Sequence, residues 1–240
     1  MKISVIVPAF NEERLLPESL ASMRAAAAVF EERGWAWELI VCDNNSTDRT
    51  AEIARAAGAR VVFEPVNRIS RARNAGAEAA GGEWFVFVDA DSRPGKDLFA
   101  DAAAAIEAGC LAGGSTVRLD GARRDAALLV GFWNLLSRFN RWAAGSFIFC
   151  EAAAFREVGG FSEELYAAEE IDLFRRLKRL ARRRARSIVI LHRHPLATSD
   201  RKVRFYTWRE HLSFMVKTCL SGGRTLRDRD ACFPWYDGRR

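Results

Sequence analysis

The chain has 240 residues, 49% hydrophobic and 28% charged, with a formal net charge of +6 and only 6 Pro and 17 Gly. That length suits one compact α/β unit with an ample core, and the composition excludes a disordered, collagen-like or disulfide-scaffold chain. The five cysteines, Cys42, Cys110, Cys150, Cys219 and Cys232, are scattered without a CxxC pair or a zinc-suited His spacing, so a reducing compartment is expected.

The amino terminus passes from a short apolar run, residues 3–7, straight into Asn11-Glu12-Glu13. It lacks the apolar region and cleavage site of a secretory signal, so cytoplasmic residence is expected. Strand-like runs at residues 3–7, 38–41, 61–63 and 84–88 alternate with helical stretches at 15–33, 47–57 and 71–79. This order predicts parallel strands joined by crossover helices.

After Asp91 the pattern loosens into a helix at 97–107, a strand at 115–119, an apolar helix at 126–142 and a strand at 147–150. Gly131 and Asn134 break the most apolar stretch, 126–136, far short of the roughly 20 residues that span a bilayer. From Glu170 onward Leu173, Leu177 and Leu180 recur at helical spacing, with arginines on the opposite face. A strand at 187–191 and a last helix at 203–220 follow, and neither a repeat nor a linker divides the chain.

Residues 175–209 hold 13 Lys or Arg against one acid, Asp200. The segment reads as a solvated helix face, a diphosphate site or a contact with an anionic membrane surface. No nucleic-acid partner is expected, since no recognition motif accompanies the charge. Phe132, Trp133, Phe139 and Trp142 crowd the long apolar helix; they read as core, or else as a platform for an acceptor sugar ring or lipid tail.

In an open parallel sheet, ligands bind beyond the carboxyl ends of the strands. There the chain is unusually polar, with Pro8-Ala9-Phe10-Asn11-Glu12-Glu13, then Asp43-Asn44-Asn45-Ser46-Thr47-Asp48, then Asp89-Ala90-Asp91. If residues 89–91 are extended, Asp89 and Asp91 point to one side. Two such carboxylates suit a hard divalent ion, Mg²⁺ or Mn²⁺, shared with a diphosphate, or else cap a turn.

Taken in order, Val5-Ile6-Val7-Pro8-Ala9-Phe10-Asn11-Glu12, Val41-Cys42-Asp43-Asn44-Asn45-Ser46-Thr47-Asp48-Arg49-Thr50 and Val86-Phe87-Val88-Asp89-Ala90-Asp91 resemble the signature of family 2 glycosyltransferases with the GT-A fold. Arg71-Ala72-Arg73-Asn74-Ala75-Gly76 resembles the family's donor-side helix. Val158-Gly159-Gly160-Phe161 with Glu169-Glu170-Ile171-Asp172-Leu173 resembles its acceptor-side acidic motif. The resemblance covers roughly residues 3–180 and implies an α/β, Rossmann-like, mostly parallel sheet flanked by helices in a single domain. Residues 1–110 would form its nucleotide-sugar-binding half and 111–240 its acceptor-binding half.

The resemblance implies transfer of a sugar, with inversion, from a nucleotide diphosphate donor to a hydroxyl of a glycan, lipid or small-molecule acceptor. Pro8, Phe10 and Glu12 would border the nucleotide, and Asp43 would accept from the base, with uracil favoured. Arg71 or Arg73 would lie near the diphosphate, Asp89 near the ribose or sugar and metal, and Asp91 on the metal. Glu170 is the expected general base, although the family usually has Glu-Asp where this chain has Glu169-Glu170, which leaves Glu169 as the other candidate.

Asp172 would orient the helix or an acceptor hydroxyl. His194, with His192, stands where the fold often adds a metal or phosphate contact, and Ser199 and Arg201 sit in a loop that would close over the phosphates. Competing readings are a non-catalytic nucleotide-sugar-binding module, a nucleotidyltransferase and a basic scaffold for polyanions. The nucleotidyltransferase reading is weakened because residues 9–16 contain no glycine.

Overall fold

The structure, a computed structural model, describes residues 1–120, 124–199 and 224–232. Its centre is β1 (Lys2–Ala9), where Ile3, Val5, Ile6 and Val7 are wholly buried. A strand covered on both faces needs such a continuous apolar run. β2 (Ala36–Asp43) and β4 (Trp84–Val88) pair with it in parallel, and β3 (Arg60–Phe63) extends the sheet beyond β2.

Beyond β4 the directions mix. β7 (Phe147–Glu151) runs antiparallel between β4 and β6 (Ala112–Asp120), β8 (Ile188–Ser199) pairs in parallel with β6, and β5 (Ser92–Arg93) closes the edge. The order is β3-β2-β1-β4-β7-β6-β8-β5. The expected mostly parallel sheet flanked by helices is what forms.

Two cores result, one on each face. On one, α1 (Leu16–Glu31) and α4 (Lys96–Glu107) meet through Phe30 and Phe99, whose stacked rings lie 5.2 Å apart, with α2 (Thr50–Ala56) beside them. On the other, α7 (Glu169–Arg183) buries Leu173, Phe174, Leu177 and Leu180 with Phe85, Phe87, Phe155 and Phe161. α3 (Ile69–Ala79) covers β1 and β2 on that side, and α6 (Ala152–Glu157) packs behind β7. α5 (Arg124–Asn140) lies against β6.

β5 and α6 are too short for any periodicity to register in the sequence. β6 begins ahead of the expected residue 115, since Gly113 and Gly114 belong to the strand. A Cβ there would lie 2.4 Å from Phe149 Cζ and 2.2 Å from Ala143 Cβ respectively, so the missing side chains let β7 and Ala143 close in. The helix expected at 47–57 begins only at Thr50, because Asn11 Oδ1 takes the Thr47 N–H at 2.8 Å and Asp48 Oδ1 takes that of Thr50 at 2.9 Å. The helix expected at 203–220 lies outside the described residues, and no helix among those described is long and apolar enough to cross a membrane.

The basic segment is not uniformly solvated. Arg176 pairs with Asp172 at 2.6 Å, and Arg184 and Arg186 pair with Glu157 and Glu151. Trp142 is partly buried against the α7 core, with the Lys178 ammonium 5.5 Å from its ring centroid.

Candidate functional site

The polar segments after β1 and β2 are laced together. Asn11 N–H donates to Ser46 Oγ at 3.0 Å, Glu12 N–H to Thr50 Oγ1 at 2.8 Å and Glu13 N–H to Asp48 Oδ2 at 3.1 Å. Asn11 adopts a positive φ of 52°, which an Asn tolerates better than a branched residue would. Asp43, aligned with Ala9 in the parallel register, is buried and takes the Ser46 N–H on Oδ1 at 3.1 Å. Pro8, Phe10, Glu12 and Asp43 therefore stand on one rim, with Asp43 also bracing its own turn.

At the end of β4, Asp89 and Asp91 line a cavity of about 230 Å³ together with Arg73, Gly145, Glu169, Glu170 and Ser199. The backbone between the two aspartates is a turn closed by Ser92 N–H to Asp89 O at 3.0 Å, rather than the extended segment expected. Both carboxylates reach the cavity all the same. Ser199 Oγ donates to Asp91 Oδ2 at 2.8 Å, which ties the far end of β8 to the β4 turn.

Arg73 is 1% exposed. Its guanidinium donates to Glu169 Oε1 at 2.7 Å, to Asp89 Oδ1 at 2.9 Å and to the Gly145 carbonyl at 2.8 Å, with the ring of Phe161 5.1 Å away. Burial works against its charge, and Asp89, Glu169 and Glu170 outweigh that cost and raise its pKa. Three carboxyl groups thus surround one guanidinium. Burial first, then the charge of Glu169, push the Glu170 carboxyl up to about 8, partly offset by Arg73.

Of the two adjacent acids, Glu169 is committed to Arg73 while Glu170 lines the cavity as well. Ala168, at φ 60°, turns the chain sharply into α7 and sets both acids in its first turn.

Several expected residues are not brought here. Arg71 is not among the residues that line the cavity; its Nε lies 3.0 Å from Glu64 and its Nη1 3.0 Å from Glu163. Of the two donor-side arginines it is Arg73 that reaches the cavity's Asp89 and Glu169. His194 does not line this cavity: it is exposed, five residues along β8 from Ser199, and its Nδ1 lies 3.0 Å from Asp101 on α4. The physical reason is a register break in β8, where Leu191 pairs with Ser115 and Leu196 with Val117, so residues 192–195 bulge outward. Arg201 lies outside the described residues. Gly145 and Ser146 line the cavity although the sequence offered no chemistry to single them out, and Thr198 lines it beside Ser199.

Among the described residues no cluster of three or more His, Cys, Asp or Glu could hold a metal alone. Mg²⁺ and Mn²⁺ do not require one, since they commonly take one or two carboxylates and complete their shell with water and substrate phosphates. Asp89 and Asp91 on one open cavity fit that chemistry. The buried thiols do not fit a nucleophile's role: burial raises Cys42 to about 12 and Cys110 to about 11.

The sequence pattern of glycosyl transferase family 2 matches residues 4–158. An uncharacterized glycosyltransferase of Mycobacterium tuberculosis is 38% identical over 89 residues, 37% of this chain and 36% of that protein. The undecaprenyl-phosphate 4-deoxy-4-formamido-L-arabinose transferase of Pseudomonas aeruginosa is 38% identical over 96 residues, 37% of this chain and 27% of that protein. The chain thus spans well under half the length of these curated relatives.

Among solved structures, a mannosyltransferase from Pyrobaculum calidifontis in complex with GDP-Man and Mn²⁺ superposes with a TM-score of 0.68 at 20% identity, covering 88% of this chain and 61% of that one. Glucosyl-3-phosphoglycerate synthase from Mycobacterium tuberculosis, with Mn²⁺, UDP and phosphoglyceric acid, gives 0.61 at 22% identity, covering 91% and 76%. At such identities the likeness is one of fold. With the sequence pattern matched over more than half its length, the chain belongs to glycosyl transferase family 2, and its sheet and flanking helices are those of the GT-A fold.

Proposed function

We propose that the chain is an inverting, metal-dependent glycosyltransferase that moves a sugar from a nucleoside diphosphate donor, UDP by preference, to a hydroxyl of a glycan, lipid or small-molecule acceptor. One observation carries the reading: Glu170 and Asp91 line the same cavity, while the neighbouring Glu169 is occupied by Arg73. A free acid and a pair of metal-suited carboxylates converging on one space is what displacement at a phosphate-linked sugar carbon requires. The UDP and GDP-Man complexes of the structural relatives support a nucleotide-linked donor.

In this reading the 1–110 half binds the donor, with Pro8, Phe10, Glu12 and Asp43 around the nucleotide, and the 111–240 half receives the acceptor. Asp89 and Asp91 would hold Mg²⁺ or Mn²⁺, which when bound supplies charge neutralisation for the departing diphosphate. Arg73 keeps Asp89 and Glu169 in place. The acceptor oxygen forms its bond to the anomeric carbon as the bond from that carbon to the diphosphate breaks. The hydroxyl proton passes to a Glu170 oxygen. One displacement with one base inverts the anomeric configuration. Ser199 orients Asp91, and Arg201 would meet phosphate.

Donor binding measured by calorimetry across UDP- and GDP-sugars, with Mn²⁺, Mg²⁺ or EDTA, tests the reading together with transfer assays. Metal-dependent binding of one donor, lost in Asp91→Ala and kept in Glu170→Gln while transfer stops, is expected. A folded protein that binds no donor with either metal would overturn it. Donor binding without transfer to any acceptor would favour the non-catalytic binding module.

A further inference from the structure

α5 carries an apolar face that nothing described covers. Phe132, Leu135 and Phe139 recur at spacings of three and four, so they lie along one side of the helix, and they are 60%, 62% and 86% exposed. The other side is fixed to the sheet: Asn134 Nδ2 donates to Val117 O at 2.9 Å, Asn134 Oδ1 accepts from Val117 N–H at 3.0 Å, and Ser137 is buried. The stripe is therefore held outward by the fold. Of the four rings the sequence suggested for such a surface, Phe132 and Phe139 lie in the stripe, while Trp133 and Trp142 are only partly exposed.

A cluster of cations adjoins the stripe. Lys178 of α7 donates to the Asn140 carbonyl at the end of α5, and Arg141, Arg175 and Arg182 are close enough to disfavour its charge beyond the effect of burial. Arg138 and Arg141 bracket Phe139 in the chain and are exposed. Among the described residues none of Arg138, Arg141, Arg175 and Arg182 has a carboxylate partner.

We infer that this face of α5, with the flanking arginines, docks the protein on an anionic lipid bilayer, the apolar side chains entering the headgroup boundary and the guanidinium groups meeting lipid phosphates. Apolar side chains in line, with a cluster of cations at the carboxyl end of the helix, match the chemistry of an interfacial helix. A second copy of the chain fits poorly, because a two-fold contact centred on Phe139 would bring Arg138 and Arg141 against their own counterparts. The docking goes beyond the sugar-transfer reading and is measured without any donor. It also bears on that reading: α5 is clamped to β6 at Val117, two residues before the cavity-lining Leu119, so docking would bring the cavity rim near a lipid-borne acceptor.

The test is sedimentation of the full chain with vesicles of phosphatidylcholine alone or mixed with phosphatidylglycerol, for wild type, the triple variant Phe132→Ser/Leu135→Ser/Phe139→Ser, and Phe139→Glu alone in case the triple variant fails to fold. Wild type should bind the mixed vesicles, bind neutral ones weakly, and lose affinity with salt. Both variants should bind mixed vesicles at least about tenfold more weakly while melting at the wild-type temperature. No wild-type binding overturns the inference, as does binding that the variants leave unchanged, which would assign it to the basic residues alone. A large fall in melting temperature of Phe139→Glu overturns it by revealing that the chain itself covers the stripe. A wild-type dimer that the variants break overturns it in favour of a second copy.

Discussion

The Arg73 guanidinium donates to Glu169 Oε1 at 2.7 Å, and this bond separates the roles of two adjacent acids. Consecutive residues in a helix point about 100° apart. With Glu169 drawn into the Arg73 cage, its neighbour Glu170 is left as the acid available to the cavity.

Arg73→Met should be strongly destabilising. It removes the partner of two carboxylates, Glu169 at 4% exposure and Asp89 beside it, and breaking a buried pair from one side typically costs about 3–5 kcal/mol. Arg73→Lys keeps the charge but has no planar fork to span two carboxylates and the Gly145 carbonyl. Urea unfolding should rank wild type, Lys, then Met. Transfer by the Lys variant should fall in kcat more than in KM, since Arg73 orients carboxylates without replacing them; equal stability of all three would refute the cage.

Asn134→Leu should loosen α5. The side-chain amide answers both backbone groups of Val117 at the point where the pairing of β6 with β8 shifts register. An apolar replacement leaves an N–H and a C=O without partners at about 1–3 kcal/mol each where buried, and water reaching the bulge would bring the total to the lower end. The predicted loss is about 1–3 kcal/mol by denaturant titration, with faster hydrogen exchange at residues 116–118.

Much of the donor side was readable because its signals are local. Parallel strands buried on both faces advertise themselves as apolar runs, and the motifs fall at their carboxyl ends, so Asp43, Asp89 and Asp91 could be placed on one rim from order alone. What could not be read was set by distant partners. Arg71 and Arg73 are near neighbours of one type in sequence, yet Arg73 shares the buried face of α3 with Ala72, Gly76 and Ala77, while Arg71 faces Glu64. That small-residue face was a usable clue. The place of His194 away from the cavity was equally unreadable, because the bulge that holds residues 192–195 depends on how β8 meets β6, which no local pattern records.

Gly76→Ala tests how closely α3 must approach the sheet. An added Cβ would stand 2.5 Å from Ile6 Cγ2, and Ile6 is wholly buried in β1. Alanine favours the helix by up to about 1 kcal/mol, but overpacking a rigid branched side chain costs about 1–3 kcal/mol, so net destabilisation is expected. Activity should suffer beyond stability, because α3 carries Arg73. Adding Ile6→Ala should recover part of the loss in a double-mutant cycle; additive effects would rule out the clash.

Glu170→Gln separates the proton's effect on stability from its effect on turnover. In the donor-free protein burial and Glu169 raise the carboxyl to about 8, against an ordinary value of 4.5 in the unfolded chain. Between those two pH values the folded state binds more protons, so the stability gained from holding the proton is complete below the lower value and lost as pH rises through the upper one. Wild type should therefore melt at progressively lower temperature from pH 6 to about 8.5, while Glu170→Gln, which has no proton to lose, should follow a flatter curve and be the more stable protein at the alkaline end. Turnover should move oppositely. A general base must be ionised, so donor-free enzyme offered substrate should gain kcat/KM with pH toward a plateau above about 8, and Glu170→Gln should be low throughout with its donor affinity intact. Parallel melting curves for the two proteins would show that Glu170 is already ionised at neutral pH, and would remove burial as the source of its behaviour.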